Sequence, residues 1–149
     1  MTNTMEEVVV SETQVGLGLF ATRSFEAGEL VGMVTGEIIT DDRYSSNYCI
    51  DLGKGTGLEP EAPFRYLNHH CEPNCELFLI DDVCPETGTE IIRVTVETVR
   101  PILEGAELTI DYGWPAEHAI KCLCGSNQCR GWIVAPEELP LIQQKRTAI

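Results

Sequence analysis

Positive charge is scarce in this sequence: ten lysines and arginines face 24 aspartates and glutamates over 149 residues, a net charge of −14. A field of that sign repels phosphate backbones and anionic lipid and attracts cations, which disfavours direct nucleic-acid binding and suits a basic partner. A solvated surface has the same composition, so the charge supports a basic substrate without establishing one. Long hydrophobic runs are missing as well. The opening MTNTMEEVVV has no basic region and no apolar stretch of signal length, and no later window nears the roughly 20 apolar residues of a membrane span. We read the protein as soluble and intracellular, in cytoplasm or nucleus, with no membrane partner. No period of roughly 20 to 50 residues recurs and no low-complexity tract appears, which excludes solenoids and linker architectures. Helical periodicity is weak, and neither a GxGxxG nor a P-loop follows any strand, so coiled coils, DNA-binding helices and Rossmann units lack support. The seven cysteines are an odd count without a secretory signal. That argues against a disulfide framework and for metal ligation or buried thiols.

What is present is a single domain's worth of apolar residues, 43% of the chain, enough for a core without staples. They are arranged as short β-type runs at 6–10, 29–40, 47–52, 76–82, 89–99 and 107–110, separated by turn signals. PETG, residues 85–88, predicts a hairpin between the fourth and fifth runs, and FEAG (25–28) and LEGA (103–106) are tight breaks before strands. A helical turn is expected over 63–68 and another after Pro136, with Pro140 limiting its length. The fold class is therefore mostly β, several small sheets with short helices.

Four stretches carry chemistry. CLCGSNQCRGW, residues 122–132, places Cys122, Cys124 and Cys129 on one small glycine-containing loop. Three thiolates so close can converge on a tetrahedral zinc, whose fourth ligand would come from Cys49, Cys71, Cys75 or Cys84. RYLNHHCEPNC, residues 65–75, packs two cysteines, two histidines and two asparagines around a proline that bars continuous helix. GLGLFA, residues 16–21, lets backbone approach a ligand closely or simply forms a hairpin. ELTIDYGW, residues 107–114, runs a strand into Tyr112, which reads either as a half-buried aromatic or as a reactive group.

Taken in their order, these four stretches resemble the SET-domain protein-lysine methyltransferases with a post-SET zinc loop, over residues 7 to 134. The central stretch is the specific one, matching the family form RFINHSCxPN at most positions. The resemblance implies a β-clip fold with a C-terminal pseudoknot, divided as SET domain 1–117, post-SET loop 118–134 and tail 135–149. It implies S-adenosylmethionine as methyl donor, held by Gly16, Leu17, Gly18 and Leu19, by Asn68 and His69, by Arg65, and by Trp132 packing over it. Tyr48, and more loosely Tyr44, match positions where relatives place an aromatic near the cofactor. Cys71 would join Cys122, Cys124 and Cys129 around one structural zinc. Tyr112 matches the tyrosine at the methyl-transfer site, where a neutral lysine amine from a basic, histone-like protein would displace the sulfonium methyl in line.

Two positions depart from the family pattern. Val34 stands where many relatives carry a channel tyrosine, which removes a hydroxyl that would help hold the amine. Ile110, two residues before Tyr112, replaces a larger aromatic and predicts that di- or trimethylation is not sterically blocked. His70 stands where relatives often carry serine, and His118 reads as a surface side chain. Cys49, Cys75 and Cys84 read as core or strand thiols. The insert GKGTGLEPEAPF (53–64) is short where relatives often carry a substrate-contacting helix, leaving substrate choice to a minimal groove, the acidic surface or a partner protein. The alternatives to an enzyme are a non-catalytic module of the same fold, binding peptide or cofactor, and a zinc-stabilised interaction domain without cofactor.

Overall fold

The computed structural model describes residues 7–142 apart from 42, 45 and 47. Glu6 of the first predicted run, Asn47 of the third and the tail from 143 lie outside the described residues. Twelve strands form four small sheets, as the composition predicts. β1 (Val8–Thr13) and β2 (Gly16–Ala21) form a hairpin, with Gly16 at φ 113° and the Thr13 hydroxyl donating to the Gly16 carbonyl at 2.8 Å. A left-handed φ suits glycine, so GLGLFA is a hairpin turn leading into a strand. β10 (Glu107–Ile110) lies between β2 and the two-residue β7 (Asn68–His69), antiparallel to the first and parallel to the second.

The second sheet has the order β3 (Leu30–Val34), β9 (Glu90–Thr98), β8 (Cys75–Val83); the last two form the hairpin predicted at 85–88. The third sets β6 (Thr56–Pro60) between β4 (Gly36–Ile39) and β5 (Ile50–Gly53). The run predicted at 29–40 is thus two strands in two sheets, broken at Thr35. The insert at 53–64 is not loop throughout, since TGLEP becomes the middle strand of its sheet. β11 (Ile120–Lys121) and β12 (Trp132–Ile133) close the C-terminal loop. Among the described residues helix comprises 3-10 turns at Phe64–Tyr66, Ala116–His118 and Pro136–Glu138, the 3-10 residue Glu7 and the helical residues 139–142. Pro140 stands inside that last segment instead of ending it, because a first helical turn needs no N–H from it.

One core joins the first three sheets. Leu19, Leu108 and Val96 are fully buried, with Val31, Val94 and Cys75 at 1% exposure beside them. Each such aliphatic side chain stabilises the fold by roughly 1.5–3 kcal/mol. The core also pins the segment 68–75: the Asn74 carboxamide donates to the Glu107 carbonyl at 2.8 Å and accepts from the Thr109 N–H at 2.9 Å. No described helix is long and apolar enough to cross a membrane.

Candidate active site

Strand β10 delivers Ile110 and Asp111, and the chain beyond it Tyr112 and Trp114, to a cleft of about 570 Å³. The opposite walls come from Val34 at the end of β3, from Tyr48 and Cys49 before β5, and from Phe64, Arg65 and Leu67 in and after the first 3-10 turn. Tyr112 donates its hydroxyl proton to the Leu67 carbonyl at 2.6 Å and packs its ring on Trp114, centroids 5.2 Å apart. Burial, with smaller contributions from Tyr48 and Glu107, pushes its pKa up to about 12, so it stays a phenol at neutral pH. Arg65 is fixed from three sides: it pairs with Glu59, donates to the Pro60 carbonyl at 3.1 Å and lies 4.0 Å over the Tyr48 ring. Burial opposes ionisation of Glu59, but hydrogen bonds from Ser46, Tyr44 and Arg65 outweigh it and hold its carboxyl below the ordinary value.

Behind Tyr112 lies the thiol cluster. The sulfurs of Cys71, Cys122, Cys124 and Cys129 fall within 4.8 Å of one another, and Cys71 Sγ is 3.8 Å from Cys122 Sγ and 4.0 Å from Cys129 Sγ. Zinc–thiolate bonds of about 2.3 Å at tetrahedral angles require sulfurs about 3.8 Å apart, which the Cys71–Cys122 and Cys71–Cys129 separations match. None of the seven cysteines is in a disulfide. Burial raises the Cys71 and Cys122 thiols; at Cys124 burial is outweighed by N–H groups of Cys71 and Ser126 and by its neighbouring thiols, which bring it down to about 7.

His69 connects the two regions. Its side chain is 1% exposed, and burial pushes its pKa down to about 4 against the pull of Asp111, so the ring is neutral. Nδ1 accepts the Tyr112 N–H at 3.1 Å, which leaves the proton on Nε2, 3.5 Å from Cys71 Sγ. The imidazole thus orients the Cys71 sulfur with one nitrogen and the Tyr112 main chain with the other.

Residues 16–113 of this chain match the SET domain family. The chain belongs to it. This SET domain is 35% identical over 133 residues to histone-lysine N-methyltransferase trithorax of Drosophila melanogaster, covering 79% of this chain and 3% of that protein. It is 33% identical over 140 residues to histone-lysine N-methyltransferase 2B of Homo sapiens, covering 79% and 5%. The chain therefore spans only a few per cent of the length of those relatives. The fold also matches the crystal structure of KRYPTONITE in complex with mCHG DNA and SAH, with a TM-score of 0.67 at 22% identity over 82% of this chain and 27% of that one.

Of the residues singled out from the sequence, the cleft of the SET domain brings together Tyr48, Arg65 and Tyr112, with Tyr44, Val34 and Ile110. Gly16, Leu17, Gly18, Leu19, Asn68 and Trp132 lie outside its lining, and Trp132 sits in β12 opposite Lys121. At β2 the backbone is bare where a Cβ on Gly18 would meet the side chains of Glu107, Thr13 and Asn68. Asn68 donates to the Leu17 carbonyl at 3.0 Å and to Glu107 Oε2 at 2.9 Å, so its Oδ1 is the acceptor left for a ligand among the described residues. For His69 the main chain alone is left for a ligand. Cys75 is a core thiol, pushed up to about 12 by burial; Cys49 is in the cleft wall; Cys84 is in the β8–β9 turn instead of a strand. His118 is exposed at the cleft margin.

Sequence reasoning missed Arg130. Its side chain is 13% exposed, its Nη2 is 2.9 Å from Asp111 Oδ2, and its main-chain N–H reaches Cys71 Sγ at 3.4 Å. An arginine directly after Cys129 was the available signal, since a cation beside four thiolates is electrostatically selected. The Leu67 carbonyl carried no signal, because a main-chain acceptor has no side-chain identity.

Proposed function

We propose that the chain is an S-adenosylmethionine-dependent protein-lysine N-methyltransferase acting on a basic, histone-like segment. The observation that carries this reading is the Tyr112 hydroxyl at the cleft floor, committed to the Leu67 carbonyl through its proton and so left with only lone pairs to offer. A substrate amine can donate to that oxygen, which orients the nitrogen lone pair away from the phenol. Val34, at 5% exposure, and Ile110, at 8%, line the same floor with hydrocarbon, which disfavours an ammonium and favours the neutral amine. Alignment of this kind supplies most of the acceleration in a direct displacement.

Gly16, Leu17, Gly18, Leu19, Asn68, the His69 main chain, Arg65, Tyr48 and Trp132 would hold the cofactor. The spare Asn68 acceptor fits its polar amino-acid end. Bound S-adenosylmethionine supplies the electrophilic methyl group. Cys71, Cys122, Cys124 and Cys129 would hold one zinc, structural because four thiolates leave no open position. We further assign residues 118–134 to a post-SET loop and 1–117 to the SET domain proper. The low side-chain volume at Ile110 leaves space for an amine already methylated.

Incubation of the zinc-loaded chain with methyl-labelled S-adenosylmethionine, mixed histones and an extract of its own cells, followed by mass spectrometry, tests the reading. Methyl-lysine on a defined protein is expected. Cofactor binding without any methylated lysine would overturn it in favour of a binding module, the reading that Val34 favours.

A further inference from the structure

The outer face of the β3–β9–β8 sheet has no cover among the described residues, and its composition is unusual. Strand alternation puts Arg93, Thr95 and Glu97 of β9 on this face, because Val94 and Val96 point into the core; Arg93 is already paired with Asp82 and reaches Met33 Sδ at 3.7 Å, which leaves Glu97 without it. The register sets Met33 and Phe78 on either side of Thr95, both more than a third exposed, and Leu30 beside Glu97 at 60%. Thr95 itself is 8% exposed, and its hydroxyl has no hydrogen-bond partner among the described residues. A buried orphan hydroxyl destabilises the sheet.

Next to it, Glu97 stands directly across from Glu76 of β8. Like charges opposite one another destabilise a sheet, and no ion pair reaches either carboxylate among the described residues. β8 is an edge strand of nine residues, with Phe78, Leu79 and Ile80 between 38% and 47% exposed. Such an edge invites a further strand. A second copy of this chain is a poor occupant: Glu76, Asp81 and Asp82 of one β8 would meet those of the other, with −14 on each chain.

We infer that this face docks an extended segment of a partner protein in which lysines or arginines alternate with apolar side chains, added alongside β8. Its apolar side chains cover Phe78 and Ile80 of β8, and a lysine or arginine reaches over β8 to Glu76 and the Glu97 opposite it. Main-chain pairing supplies affinity and the alternating side chains supply selectivity, as in other strand additions. The docking face is a different surface from the cleft at Tyr112, so it stands whether or not the chain transfers methyl groups.

The test titrates isotope-labelled, zinc-loaded full chain with an acetylated Lys-Val-Lys-Val-Lys-Val-Lys peptide and with its glutamate counterpart, following backbone amide signals. The lysine peptide is expected to shift residues of β8 and β9, more tightly at low salt, and the glutamate peptide to leave them unmoved. Glu76→Gln with Glu97→Gln, near-isosteric and exposed enough to preserve the fold, should weaken binding about fivefold. Equal binding of the two peptides, shifts confined to the cleft, or a concentration-dependent dimer that moves the same β8 signals without peptide would each overturn the inference.

Discussion

At the scale of single residues, Tyr112 decides most. Its ring is held by Trp114 and its hydroxyl by Leu67, so Tyr112→Phe removes one oxygen and leaves the packing. We expect methyl transfer to fall about 10²–10³-fold, the usual effect of deleting one positioned polar group, with cofactor affinity by calorimetry unchanged. Unaltered turnover would remove Tyr112 from the mechanism. The same substitution has a signature in stability. Because the folded pKa is raised from 10 to about 12, the fold prefers the phenol. That contribution is complete below pH 10 and is lost as pH rises through about 12. The parent chain should thus lose more stability over this window than Tyr112→Phe; equal loss would show that the ring ionises freely.

At the scale of elements, two contacts hold the site's walls. β4 and β6 approach so closely at Gly36 that an added Cβ would overlap the Glu59 main-chain carbonyl. Backbone cannot swing aside as a side chain can. Gly36→Ala should therefore cost about 3 kcal/mol in denaturant unfolding and displace the Glu59–Arg65 pair; a variant of parent stability would show that the sheet yields. The Arg130–Asp111 pair ties the thiol loop to the end of β10. Arg130→Met should destabilise the zinc-loaded chain by roughly 1–3 kcal/mol, less than a fully buried pair because Asp111 keeps 30% exposure. It should also leave zinc content by elemental analysis intact, and loss of metal would make Arg130 part of the metal site. The strands of the long hairpin and β10 were legible from composition alone, because β-branched runs bounded by PETG and LEGA have no competing period. β6 was not: Gly57 and Pro60 read as loop, and the Cys49 sulfur and Ile50 carbonyl lying against Gly57 explain a glycine there. The break at Thr35 was equally hidden, since β3 and β4 look like one run and differ only in the partners the rest of the chain brings them. In the site, the motifs pointed to Tyr48, Arg65 and Tyr112, which the cleft brings together, but the Leu67 carbonyl, the His69 tautomer and the Arg130 pair arise from folding and have no local pattern.

At the scale of the whole molecule, the seven cysteines should divide into classes by what surrounds them. Four converge within 4.8 Å, where a bound zinc would protect them; Cys75, 1% exposed with its thiol pushed up to about 12 by burial, is protected by the core. Two are left. Cys84 has its thiol lowered by hydrogen bonds from Thr87 and Glu86 in the β8–β9 turn, whereas burial beside Glu59 and Asp51 raises Cys49. Since the thiolate is the reactive form, an alkylating reagent at mildly alkaline pH should label Cys84 fast and Cys49 slowly, and then stop. A zinc chelator should release Cys71, Cys122, Cys124 and Cys129 together, and Cys75 should react only when the fold is opened by denaturant. Because His69 links Cys71 to Tyr112, chelation should also perturb the tyrosine and Trp114 fluorescence in step with the four thiols. Labelling of the four one by one, with no optical change, would mean that they are separate thiols rather than one site coupled to the cleft.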